Sequence, residues 1–187
     1  MKYRSFVLKS VTLGSLLCIS LAAQVKAQST DNDFCTNATL RGDYAFTISG
    51  QIFIPNGPVI QREGIAMTHF DGAGGLSQVD VVLSSPNAPP PPGASPTDPV
   101  TGFHTQETGA YLVHSDCTGT FTINFPPLVA PTGASIPGAV IVVKFVISNG
   151  GRAIHTIVTS LTPPGAPGPV PALIRSEGRK LGSGLPE

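Results

Sequence analysis

The sequence predicts an all-β protein, an eight-stranded antiparallel up-and-down barrel, with a β-sandwich as the alternative. Three observations lead there. Beyond the first 27 residues, no stretch holds apolar residues at helical spacing without a glycine or proline interrupting it. Eight segments instead show period-two alternation or β-branched runs. Tight glycine turns alternate with proline-rich connections along the chain, which suits a meander whose successive connections lie at opposite ends.

Residues 1–27 have the form of an export signal. Lys2, Arg4 and Lys9 make a basic start, 11–23 is apolar, and Val25 and Ala27 stand where a signal peptidase needs small or apolar residues. Cleavage is predicted between Ala27 and Gln28, leaving a secreted or periplasmic chain with no membrane span. Cys18 follows the bulky Leu17, which does not suit lipidation, and it leaves with the signal. The whole chain has 11 basic and 11 acidic residues, and four basic ones (Lys2, Arg4, Lys9, Lys26) belong to the signal. The remainder is therefore net acidic, which argues against nucleic acid and an anionic membrane as partners.

The expected domains are an N-terminal segment at 28–42, one β domain at 43–181 and a tail at 182–187. In 43–54, Tyr44, Phe46, Ile48, Ile52 and Ile54 alternate with small or polar residues and give one buried face. The next strands are expected at 59–70, 76–84 and 103–114. In 118–125, Phe121, Ile123 and Phe125 oppose a threonine face. Residues 139–147 are β-branched and apolar on both faces, as in a central strand, and 153–161 and 172–181 complete the eight.

The turns 71–75, 115–119 and 148–152 are short and rich in Gly, Asn and Asp, and Asn149-Gly150 favours positive φ. Residues 55–58, 85–102, 126–138 and 162–171 carry the prolines. A meander places the first set at one flat end and the second around the opposite rim, where proline stiffens the loops.

Cys35 and Cys117 remain in the exported chain and are expected to pair, with two buried free thiols as the alternative. Cys117 lies in a flat-end turn, and Cys35 precedes the first strand. The bridge then pins the segment from 35 to 43 across the flat end as a plug. An immunoglobulin-like sandwich suits this placement poorly, and the chain has no tryptophan to pack on a bridge.

Catalytic signatures are missing from the sequence, and so is a metal-site spacing among His69, His104, His114 and His155. No metal and no cofactor is expected. The turn at 70–75 has only Asp71 of the acids a calcium loop needs, so it is expected to be a hairpin. Charges fall within expected strands at Glu63, Glu107, Lys144, Arg175 and Glu177, where alternation is too irregular to assign faces. Glu107 shares a face with Tyr111 and Val113 if the strand is regular, and Glu63, Glu107 and Tyr111 are the candidate ligand contacts in the lumen. An inward carboxylate would have a raised pKa. Asn37-Ala38-Thr39 is a formal glycosylation sequon.

Four stretches carry a resemblance: the start at Cys35, LRGDYAFTISG (40–50), GIAMTHFDGAGGL (64–76) and GAYLVHSDCTGTFTI (109–123). Together they resemble a family of small exported bacterial proteins with a leading Cys, a GxYxFxxSG strand, an FDGxG turn and a GxYxVxxDCTGT hairpin. The likeness covers 35–125 well and the C-terminal third loosely. It implies a secreted β domain and no particular chemistry. A weaker architectural likeness is to barrels of the allene-oxide-cyclase and dirigent type, from which no catalytic residue carries over.

The functional expectation is an exported, disulfide-braced barrel that binds without catalysis, taking a small apolar ligand in its lumen or a protein partner at its proline-rich rim. The alternatives are a cyclase or isomerase acting on a substrate held in the lumen, and a structural extracellular module. Fold alone does not choose among them.

Overall fold

The structure, a computed structural model, describes residues 34–85 and 101–182. The signal with its Ala27–Gln28 cleavage point, Cys18, most of the 85–102 connection and most of the tail lie outside the described residues.

The strands are β1 (Gly42–Phe53), β2 (Val59–Phe70), β3 (Gly75–Ser84), β4 (His104–Val113), β5 (Thr118–Asn124), β6 (Leu128–Val129), β7 (Ser135–Ile136), β8 (Val140–Ser148), β9 (Ala153–Thr162) and β10 (Ala172–Lys180). Eight of them close a barrel in the order β1-β10-β9-β8-β5-β4-β3-β2. β1 pairs antiparallel with both β2 and β10, so the barrel is a meander that meets itself and leaves no sheet edge. That closure excludes the sandwich. The expected strands and the observed ones agree nearly residue for residue. The 126–138 connection holds more order than expected, because β6 and β7 form a short ribbon whose turn is closed by Gly133 at φ 82°.

The three glycine turns share one end. Asp71 Oδ1 accepts hydrogen bonds from the backbone N–H groups of Ala73, Gly74 and Gly75 at 2.7–2.9 Å. This confirms a hairpin whose carboxylate serves its own turn. Asp116 does the same for Thr118 through both its N–H and its hydroxyl. Asn149, Gly150 and Gly151 all take positive φ, so this loop is a left-handed turn longer than a two-residue hairpin.

The flat half of the interior is filled with aromatic rings. Phe70 is fully buried and meets Tyr44 edge-on at 5.4 Å and Tyr111 edge-on at 5.0 Å. Phe121 and Phe145 stack beside them at 5.7 Å. Two inward glycines make room for this packing. Gly119 lies opposite Phe145 and Gly178 opposite Phe46 in the strand registers, and a Cβ at either would overlap the facing ring.

The segment before β1 closes the flat end. Cys35 and Cys117 form a disulfide with their Cα atoms 4.9 Å apart. A 3-10 turn, Asn37–Leu40, follows and buries Leu40 completely. Asn37 gives its amide N–H to Ala73 O and takes the backbone N–H of Val113 on its Oδ1 at 2.8 Å. Tyr111 donates its hydroxyl to Asn37 O at 3.0 Å. A Cβ on Gly151 would press on Thr39 O, so the plug touches all three turns.

Candidate functional site

The rim half of the interior has two unlike walls. Ile52, Ile60, Leu161 and Ile174 form a buried apolar cluster, with Ile48, Ile141 and Val158 packed against it. These last three point inward and keep part of their surface accessible. The other wall is polar and comes from β2, β3 and β4. It carries Arg62, Thr68, Gln78, Asp80, His104 and Glu107.

A β-bulge builds the centre of this polar wall. Gln78 pairs with Glu107, but Asp80 pairs with His104, so Thr105 and Gln106 together face the single Val79. Gln106, the second of the two, takes φ 66°, in the left-handed region, which absorbs the local kink of the bulge. The extra residue resets the alternation. Regular pleating would turn 105 inward with Glu107; the bulge turns His104 inward instead.

His104 Nδ1 lies 2.9 Å from Asp80 Oδ1. Asp80 is buried, and His104 is half-buried. Glu107 is 1% exposed, which is too little for a free carboxylate. Burial first, and then the nearby Asp80 carboxylate, push Glu107 up to about 9. Gln78 Nε2 donates to Glu107 Oε2 at 2.8 Å, and Thr68 Oγ1 donates to Gln78 Oε1 at 2.7 Å. This relay fixes the Gln78 amide and, through it, the Glu107 carboxyl group. Glu107 Oε1 has no hydrogen-bond partner among protein donors. Arg62 stands nearer the mouth, bonded to Ser84 Oγ. Burial lowers its guanidinium pKa, and the Asp80 charge opposes that.

The three candidate ligand contacts do not come together. Glu107 faces the lumen. Tyr111 also points inward, but at the closed end, where its hydroxyl is used by Asn37 O and the Gly72 N–H. Glu63 is exposed on the outer wall, because β2 turns its even-numbered residues inward. Lys144, Arg175 and Glu177 also lie on the outer wall. His69 and His155 pair there with Asp43 and Glu177, so His104 is the histidine that reaches the lumen.

Sequence reasoning missed Arg62, Thr68, Gln78 and Asp80. In β3 the apolar Val79, Val81 and Leu83 mark what looks like the inner face, yet Gln78 and Asp80 are buried and Leu83 is 68% exposed. The available signal was phase. Gln78 and Asp80 share parity with Leu76, the first buried residue after the Asp71 turn. No family model matches this chain, and no curated protein matches it.

Proposed function

We propose that this protein works outside the cytoplasm and binds a small, largely apolar molecule with one polar end in the rim half of its barrel. The two unlike walls carry the proposal: an accessible apolar side beside a few convergent polar groups is the usual make-up of a small-molecule site. Phe53, Val59, Leu83 and Leu173 add exposed apolar surface where their strands reach the same end. The disulfide supports an oxidising location, as does the expected export signal. No described helix is long and apolar enough to cross a membrane.

A thermal-shift screen of fatty acids, terpenoids and aromatic acids tests the proposal. A binder should raise the unfolding midpoint, and Val158→Trp, which fills the lumen, should abolish the shift. If no lipophile moves the midpoint of the disulfide-bonded chain, the lumen is not a binding site. A protein partner at the rim is the outcome to pursue in that case, by testing partner capture after deletion of 87–99.

A second reading is a cyclase or isomerase that acts on the molecule it holds. The Asp80–His104 pair beside the buried Glu107 favours it, since it sets acid and base groups on one wall facing the lumen. Recovering the bound molecule unchanged after prolonged incubation argues for a binder. An isomerised product that Glu107→Gln no longer forms argues for the enzyme.

A further inference from the structure

The polar wall also has the make-up of a metal site. One carboxylate oxygen each from Asp80 and Glu107 and one ring nitrogen of His104 lie within 4.8 Å of one another. Among the described residues, this is the one cluster of at least three such groups set to share an ion. Two carboxyl groups so close on a buried wall need a positive charge between them, either a proton or a metal cation.

Three details favour the metal. Glu107 Oε1 is a buried acceptor that no protein donor serves. The Thr68–Gln78 relay holds the other oxygen of the same carboxylate, as outer partners do around metal ligands. Two ligand atoms on one ion at about 2.1 Å each stand about 3 Å apart across an octahedral edge. His104 Nδ1 and Asp80 Oδ1 are 2.9 Å apart, which fits that edge with the ring proton on Nε2.

We propose that Asp80, His104 and Glu107 form a binding site for one divalent transition-metal ion, of the zinc or manganese class, on the polar wall of the lumen. Two carboxylates and an imidazole are the ligand types those ions accept, and no soft sulfur ligand is at hand to select copper(I). His104 lies on the mouth side and is partly exposed, so an ion can reach the site from solvent. Arg62 is the one positive side chain on this wall, and its charge opposes the ion. The site requires no organic ligand, so it stands or falls apart from the function proposed above.

The test uses the full chain with its disulfide formed, stripped of metal by a chelator and titrated calorimetrically with Zn²⁺ and with Mn²⁺. Uptake of one ion per chain is expected. Asp80→Asn, His104→Ala and Glu107→Gln should each weaken it by about tenfold or more. Arg62→Gln should tighten it severalfold. His69→Ala and His155→Ala, on the outer wall, should leave it unchanged. Mn²⁺ should broaden amide resonances around 62, 78–80 and 104–107 and spare the outer-wall histidines. No uptake by the wild type overturns the proposal and leaves a proton as the shared cation. Uptake that survives all three ligand substitutions also overturns it, as does broadening centred on His69 or His155. If the carboxyl variants fail to fold, His104→Ala and the Mn²⁺ broadening pattern of the wild type decide.

Discussion

Phe70 shows how much one side chain can carry. It sits between Tyr44 and Tyr111 at the centre of the closed half, with no exposed surface. Phe70→Ala should cost about 3–5 kcal/mol, read as a fall in the denaturant midpoint at unchanged slope. Asp71, the next residue, works through charge. Backbone N–H groups of Ala73, Gly75 and Gly74 hold its carboxyl below the ordinary carboxylate range. A depressed folded pKa stabilises above the unfolded value, about 3.9, and that contribution fades as pH falls through the folded value. Asp71→Asn should therefore unfold earlier than wild type at pH 6. The difference between the two should shrink in acid below about pH 4. Paired urea titrations across pH would show it, and a pH-independent difference would mean the charge plays no part.

At the scale of elements, the bulge in β4 and the plug are two departures from a plain meander. The bulge is what brings His104 to the polar wall. Deleting Gln106 leaves Thr105 alone opposite Val79 and puts His104 two places from Glu107 on the same face, so His104 should stay inward and its reactivity toward an imidazole-modifying reagent should hardly change. Gln106→Val should destabilise by about 1–2 kcal/mol, because a β-branched residue resists positive φ, while Gln106→Gly should be tolerated. The plug is held by one covalent bond and several hydrogen bonds. Replacing Cys35 and Cys117 by serine opens a loop of 82 residues. The expected loss is about 4 kcal/mol in the chain-entropy account. Hydrogen exchange at the Val113 amide, which Asn37 caps, should accelerate with it. If that amide stays protected, the plug is held by its hydrogen bonds and by Leu40 rather than by the bridge.

At the scale of the molecule, the barrel exists only when β1 meets β10, strands that lie at opposite ends of the described chain. Contacts of such sequence separation are slow to form, so refolding is expected in milliseconds to seconds, as stopped-flow fluorescence of the tyrosines would report. A chain ending before 172 would expose the edges of β1 and β9. It should lose cooperative unfolding and aggregate. Polarity is the other property of the whole. The end with tight turns is packed and plugged, and toward the opposite end Ile48, Ile141 and Val158 keep part of their inward surface accessible.

The sequence by itself determined the strands, their order, the disulfide, the plug and the two unlike ends. Each of these follows from local chemistry: period-two patterning, turn residues with positive φ, prolines, and two cysteines with one possible pairing. Only the tertiary structure decided which face looks inward in strands such as β3 and β4, whose alternation is mixed or broken. Alternation fixes that Asp80 and Val81 point opposite ways but leaves open which of them is buried, and β3 buries its polar face. The bulge then breaks the count in β4, so Glu107 and His104 reach the same wall across an odd spacing that a regular strand forbids. A site assembled from the phase of one strand and the irregularity of its neighbour has no signature in either segment alone. It becomes visible once the register between them is known.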